Sequence, residues 1–389
     1  MLPRKLQEQL NQRIANQSLR GLGTANGLVD FSSNDYLGFS RNKTIFKKAH
    51  EYLLENNMAI NGATGSRLLS GNHTLYNQVE QHIADYHNAE SALIFNSGYD
   101  ANLGFFSAVP QRNDIIFYDE LCHASIRDGI SMGNAKAYKF AHNDLEQLSN
   151  KIKRTKQHLS GDAEIYVVTE SVFSMDGDSP NFRILGKICL QHNINLVVDE
   201  AHAVGVFGDK GEGMIFDLKL EHAVCTRIVT FGKALGCHGA AILSSSELKQ
   251  YLVNFSRPFI YTTGLPPHGL ATIKTAYRHL EFSGQAEMSA LAHLRHNIKC
   301  FKAEMNRLQL KLFIESDSAI QSCVIPGNSQ VREISEALKE KGFNVKPIIS
   351  PTVPRGHERL RFCLHSYNSE KEISDVLQGL AIFVANANI

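Results

Sequence analysis

Asp199, His202, Thr230 and Lys233 carry a carboxylate, an imidazole, a hydroxyl and an amine within the stretch 195–241. The first two close the apolar run 196–198 in NLVVDEAHAVGVFG, and the last two close the run 227–231 in RIVTFGKALG. Both runs are short, rich in β-branched residues and end on polar groups, the pattern of buried strands in a parallel sheet. In an open α/β sheet, ligands bind beyond the carboxyl ends of the strands. The four groups are therefore expected at one sheet edge.

Other segments deliver chemistry to the same edge. In ALIFNSGYDANLGFFSAV a strand over 92–95 breaks at Asn96-Ser97-Gly98, and a helix starts near Tyr99. Free N–H groups at such a start, with a glycine allowing close approach, make an anion site suited to phosphate. In DIIFYDELCHASIRDGI a strand over 114–118 leads to His123 at the opening of another helix, where a histidine commonly serves as a cap. The strand 165–169 continues into a polar loop with Glu170, Ser174, Asp176 and Asp178. The turn-forming segment DFSSNDYLGFS offers Asn34 and Tyr36, and YTTGLPP offers the hydroxyls of Tyr261, Thr262 and Thr263. Arg359 and Arg361, two residues apart on one strand, share a face and make a natural carboxylate fork.

Three chemistries compete for the central stretch. The tetrapeptide Asp199-Glu200-Ala201-His202 is spelled like the second motif of a helicase, but that needs a GxxxxGK[ST] phosphate loop. Gly232-Lys233 is followed by Ala234 and Gly186-Lys187 by Ile188, and no basic track is present. As metal ligands, Asp199, Glu200 and His202 match no recognised zinc spacing, and no second His or Cys cluster completes them, so no metal is expected. The third chemistry is a lysine-bound aldehyde, and every functional group of pyridoxal 5'-phosphate finds an answer. Lys233 supplies the amine for a Schiff base, and Asp199 a carboxylate to keep the pyridine nitrogen protonated. Gly98, Tyr99 and Thr230 supply phosphate donors, His123 a flat partner for the ring, and His202 a group for the phenolic oxygen.

The remaining sequence sets the frame. With 389 residues and 43% hydrophobic content the chain can bury a large core. The net charge of +1 with dispersed basic residues argues against nucleic acid or an anionic membrane as a bulk partner. Seven cysteines without a CxxC pair fit reduced thiols in a cytoplasm. No run approaches the ~18 apolar residues of a membrane span, and the charged amphipathic helix over 4–20 has no apolar signal core. Strand and helix signals alternate from 92 to 243 as right-handed βαβ crossovers, 268–310 reads as long amphipathic helix, and 311–389 alternates LFIE, SCVIP and LRFCL strands with helices over 331–341 and 369–385. The expected organisation is an N-terminal arm (1–45), a large α/β domain with a mostly parallel sheet (46–275) and a smaller α+β domain (276–389).

Ordered along nearly the whole chain are DFSSNDYLGFS, GATGSRLLSGN, FNSGYDAN, HAS, FAHND, TESVFSMDGD, VVDEAHAVGVFG, VTFGKALG, RPFIYTTGLPP and PTVPRGHERLR. On these motifs the chain resembles the α-oxoamine synthases, a family of fold-type-I pyridoxal-phosphate transferases. The resemblance implies a homodimer whose two active sites are each completed by the partner chain. It implies a Schiff base on Lys233, the pyridinium partner on Asp199, the phenolate partner on His202 and the stacking ring on His123. It further places phosphate contacts on Gly98, Tyr99 and Thr230, with Thr262 or Thr263 entering from the other subunit, Ser174 against the cofactor, Arg361 on a substrate carboxylate and Asn34 near the substrate. The implied reaction joins an amino acid to an acyl-CoA or acyl-carrier protein with loss of carbon dioxide. SRPFIYTTGLPP and SPTVP lean towards L-alanine and a pimeloyl thioester, as in biotin biosynthesis. Glycine- or serine-using sister activities share the cofactor cage, and Cys237-His238, where small residues are usual, bears on acyl-chain preference. A non-catalytic subunit of the same fold would be expected to lack the lysine, which is present.

Overall fold

The computed structural model describes residues 2–16, 18–22, 27–159, 161–283 and 289–386. The chain divides into two compact units, one of residues 34–174 and 178–293, the other of residues 1–33, 175–177 and 294–389. Each is described by itself.

The larger unit is built on a seven-stranded sheet in the order Ser91–Phe95, Ala240–Ser244, Thr226–Thr230, Asn195–Asp199, Ile165–Glu170, Ile115–Asp119, Lys136–Phe140. The last five run parallel; Ala240–Ser244 is antiparallel to both its neighbours, so Ser91–Phe95 points the same way as the five. The runs read from sequence as strands are thus strands within a residue or so of their expected ends. They are buried on both faces: every residue of Ser91–Phe95, Ile165–Glu170 and Ala240–Ser244 is buried, as a sheet covered by helices on each side requires. One cover comes from Gly98–Ala108 and Ala124–Met132, whose Phe105, Phe106 and Ile126 pack with Val168, Val197, Ile228 and Ile242 of the strands.

Helix starts follow local chemistry. Asn42 accepts from the N–H groups of Thr44 and Ile45, Ser97 from Asp100, Asp144 from Gln147 and Asn181 from Ile184, each satisfying a donor outside the helix ladder. His73 stands at the cap position of Thr74–Tyr86 but makes no cap bond; Leu75, Val79 and Ile83 hold that helix down instead. The charged stretch 268–310 is two helices, Pro267–Ser283 and Ala290–Arg307.

In the smaller unit a three-stranded antiparallel sheet runs Lys346–Ile348, Arg359–Cys363, Ile320–Val324, with helices Asn328–Glu340 and Glu370–Asn386. LFIE contributes only a single bridge, Phe313 to Cys323. The N-terminal helix is shorter than its amphipathic pattern, Arg4–Ala15, and the two-residue strand Val29–Asp30 pairs in parallel with Phe343–Asn344. Among the described residues no helix is long and apolar enough to cross a membrane.

Candidate active site

The carboxyl end of Asn195–Asp199 lies between those of Ile165–Glu170 and Thr226–Thr230, and the polar residues cluster there. Asp199 is buried, with one carboxylate oxygen accepting from Asn102 Nδ2 at 2.8 Å and the other from the N–H of Ala201 at 2.9 Å. Asn102 projects from the helix Gly98–Ala108 and also donates to Ser125 Oγ at 3.0 Å. Ser125 Oγ in turn lies 2.8 Å from His123 Nδ1, and His123 caps the helix Ala124–Met132 by accepting from the Ser125 N–H. His123 is therefore both the cap and a ring at the site. Burial lowers its pKa, against the opposing pull of the Asp199 charge.

Glu170, register partner of Asp199, accepts from the His123 N–H at 2.6 Å. Burial first and the Asp199 charge second push its carboxyl up to about 8, so it is mostly protonated at neutral pH.

Across the site the turn after Thr230 presents Lys233, whose Nζ lies 2.5 Å from His202 Nε2. The other ring nitrogen, Nδ1, is 2.7 Å from the hydroxyl of Tyr36, a fully buried residue whose Oη also donates to Asn34 Oδ1 at 3.2 Å. The lysine turn is held by the Gly236 N–H donating to the Lys233 carbonyl, with Gly236 at φ +61°.

Gly98 and Tyr99 occupy the first two positions of their helix, so their N–H groups lie outside its own ladder. A Cβ built on Gly98 would stand 3.7 Å from Thr230 Cβ and Oγ1, which puts that glycine backbone beside the threonine hydroxyl at the end of a different strand. The helix-start N–H groups make a donor cradle of the kind a phosphate takes, beside the Thr230 hydroxyl, which donates to the Gly239 carbonyl at 3.1 Å. Tyr99 turns its hydroxyl to the Asp128 carboxylate. Asn96 Nδ2 donates to Thr262 Oγ1 at 3.0 Å and to the Thr263 carbonyl at 2.8 Å, so within one chain these threonines lie against the residue two before Gly98. Ser174 is half-buried in the turn after Ile165–Glu170.

Arg361 belongs to the smaller unit, buried on Arg359–Cys363 between Ser322 and Lys346 of the flanking strands. Its neighbour Arg359 is ion-paired with Asp176.

Sequence reasoning singled out Lys233, Asp199, His202, His123, Gly98 and Thr230, and these meet at one edge of the larger unit. It passed over Asn102, whose signal was a polar residue on the buried face of an otherwise apolar helix, and Glu170, which it left in a loop.

The donor set fits a pyridoxal phosphate: an amine on a glycine-bounded turn, a buried carboxylate at a strand end, an imidazole beside the amine, a second imidazole at a helix cap and a helix-start cradle. Residues 26–380 match the family model "Aminotransferase class I and II". The chain is 38% identical over 371 residues to the 8-amino-7-oxononanoate synthase of Emericella nidulans, covering 92% of this chain and 89% of that one. Its structure is similar to serine palmitoyltransferase from S. paucimobilis with a bound PLP–myriocin aldimine (TM-score 0.86, 25% identity, 99% and 98% of the chains). It is also similar to 8-amino-7-oxononanoate synthase from Francisella tularensis (TM-score 0.78, 28% identity, 94% and 100%).

Proposed function

The chain belongs to the class I and II aminotransferase family and within it to the α-oxoamine synthases, and from that premise we propose that it is a PLP-dependent acyltransferase making 8-amino-7-oxononanoate. The substrates are L-alanine and pimeloyl-CoA or its carrier-protein equivalent, and the other products are carbon dioxide and the free thiol. The observation that carries this reading is the Lys233–His202 contact of 2.5 Å at the sheet edge that also holds Asp199.

When bound, pyridoxal phosphate supplies an electron sink for the charge left when a bond to the amino acid's α-carbon breaks. Lys233 would hold its aldehyde, Asp199 its ring nitrogen, His123 its face and His202 its phenolic oxygen. Gly98, Tyr99 and Thr230 would hold the phosphate, with Thr262 or Thr263 of a second subunit, and Ser174 would lie against the ring. The hydrogen bonds from Asn102 and Ala201 fix the direction of the Asp199 carboxylate, as a partner for a protonated ring nitrogen must be fixed.

The Lys233 amine would take the proton from the alanine α-carbon and return one to the product. Arg361 grips the alanine carboxylate as a fork, and Asn34 borders the substrate. The active assembly in this reading is a cytoplasmic homodimer with shared sites.

Serine palmitoyltransferase is a second reading, favoured by the structural match over 99% of the chain; the higher identity, 38% against 25%, supports the first. An assay of carbon dioxide and thiol release with alanine, glycine and serine against acyl-CoA thioesters of different length separates them. Turnover with alanine and the pimeloyl thioester above all other pairs is expected, and preference for serine with a long acyl chain would replace this reading by the second.

A further inference from the structure

His296 and Cys300 stand four residues apart on the helix Ala290–Arg307, so an imidazole and a thiol share one face, a turn apart. Glu370, the first residue of the helix Glu370–Asn386, meets them there. Its carboxylate lies 2.7 Å from His296 Nε2, and Cys300 Sγ lies 3.2 Å from the same nitrogen. All three residues belong to the smaller unit, and their donor atoms lie within 4.8 Å of one another. One ring nitrogen has a single hydrogen or a single lone pair to divide between a carboxylate and a thiol. A cation uses all three groups in the same way, as electron-pair donors.

Backbone contacts hold the cluster together. Asn297, buried beside His296 in the chain, donates to the carbonyls of His365 at 2.8 Å and Asn368 at 2.7 Å, tying the segment before Glu370 to this helix. Ser369 and Glu372 then bond each other's backbone N–H groups, a capping box that fixes the first turn of Glu370–Asn386. One turn further along both helices, Ser374 Oγ donates to Glu304 Oε1 at 2.8 Å.

We infer that His296 Nε2, Cys300 Sγ and Glu370 Oε1 form a surface site for Zn²⁺, with water completing a tetrahedron. A thiolate and an imidazole select a borderline-soft ion over magnesium or calcium, which take oxygen ligands. Zinc bonds of about 2.0–2.3 Å set their donors about 3.3–3.6 Å apart. The pairs at 2.7 and 3.2 Å therefore open by about half an ångström, which side-chain rotation at the surface supplies. On binding, the Cys300 S–H bond breaks, its electron pair goes to the metal and its proton to water. The ion clamps the start of Glu370–Asn386 onto Ala290–Arg307, and needs nothing from the cofactor or from the proposed reaction.

Cobalt(II) titration of the cofactor-loaded protein, freed of metal by a chelator and dialysed, tests the site through visible bands to the red of the cofactor's absorption. One strongly absorbing tetrahedral cobalt per chain is expected, bleached by one equivalent of zinc. Cys300→Ser and His296→Gln, neither at a buried position, are each expected to abolish the bands, and Glu370→Gln to weaken binding about tenfold or more. Zinc is expected to raise the urea midpoint of the wild type and not that of Cys300→Ser. Weak octahedral cobalt spectra alone in the wild type, or tetrahedral bands that survive in both Cys300→Ser and His296→Gln, would overturn the inference. Unchanged affinity in Glu370→Gln would overturn the three-donor site.

Discussion

Glu170 and Asp199 are partners on adjacent parallel strands, two carboxyl groups side by side at the ligand edge of the sheet. Their hydrogen-bond donors differ. Asp199 takes hydrogen bonds from Asn102 and from the Ala201 N–H, while burial and the Asp199 charge lift Glu170 to about 8. A neutral Glu170 still accepts from the His123 N–H, and an amide would do so equally. Glu170→Gln is therefore expected to keep activity at pH 7 within about threefold, whereas Glu170→Ala abandons the His123 backbone donor at a cost of about 1–3 kcal/mol. The folded value lies above the ordinary 4.5, so this residue's share of wild-type stability is complete below about 4.5 and is lost as pH rises towards about 8. Urea melts should show Glu170→Gln gaining on the wild type across that window. A constant difference from pH 4.5 to 8 would mean that Glu170 is already ionised.

Asp199→Asn preserves shape but removes the charge, and its single carboxamide oxygen can accept from only one of Asn102 and the Ala201 N–H. It is expected to retain cofactor and to lose about a hundredfold or more in turnover, the scale of removing a preorganised electrostatic partner. Asn102→Ala, which leaves the Asp199 side chain in place but less firmly aimed, is expected to lose about tenfold. Cofactor content by absorbance and turnover by thiol release check both; near-normal turnover in Asp199→Asn would remove Asp199 from its role.

The site's legibility in sequence divides along the same physical line. Asp199, Lys233 and Gly98 could be placed because a β-branched run closing on a polar residue states both a strand and which end carries chemistry. Pairing across the chain is not stated locally. That Tyr36 meets His202, 166 residues on, or that Glu170 adjoins Asp199, follows from strand order and packing that no spacing encodes. Asn102 was hidden because one asparagine in an apolar helix looks like a tolerated exception until the helix is laid over the sheet. Periodicity also merged elements: the stretch 268–310, read as one long helix, holds two among the described residues, Pro267–Ser283 and Ala290–Arg307.

His142 is gripped from both sides, Nδ1 by Asp119 at 2.9 Å and Nε2 by Asp178 at 2.8 Å. Burial alone would lower its pKa; the two carboxylates overcome this and raise it to about 9. Because the folded value exceeds the ordinary 6.5, the stabilisation is complete below about 6.5 and lost as pH climbs through about 9. With the ring mostly buried this amounts to at most about 3 kcal/mol. Wild type minus His142→Ala stability should shrink between pH 6.5 and 10, and a difference independent of pH would exclude a charged His142.

Gly236 closes the lysine turn at φ +61°, and a Cβ there would fall 2.1 Å from the backbone nitrogen of Ser40. Neither the backbone conformation nor the rigid neighbour accommodates a side chain. Gly236→Ala is expected to cost more than about 2 kcal/mol in thermal or urea unfolding and to weaken cofactor retention by displacing Lys233. A variant of wild-type stability with full cofactor would show that the turn has slack that the contact denies.

Borohydride reduction of the cofactor-loaded protein, followed by proteolysis and peptide mapping, tests the central claim most directly. The reduced pyridoxyl label is expected on Lys233, within VTFGKALG, and absent from Lys233→Ala. A label on any other lysine, or none on a protein shown to be folded and loaded, would contradict the account.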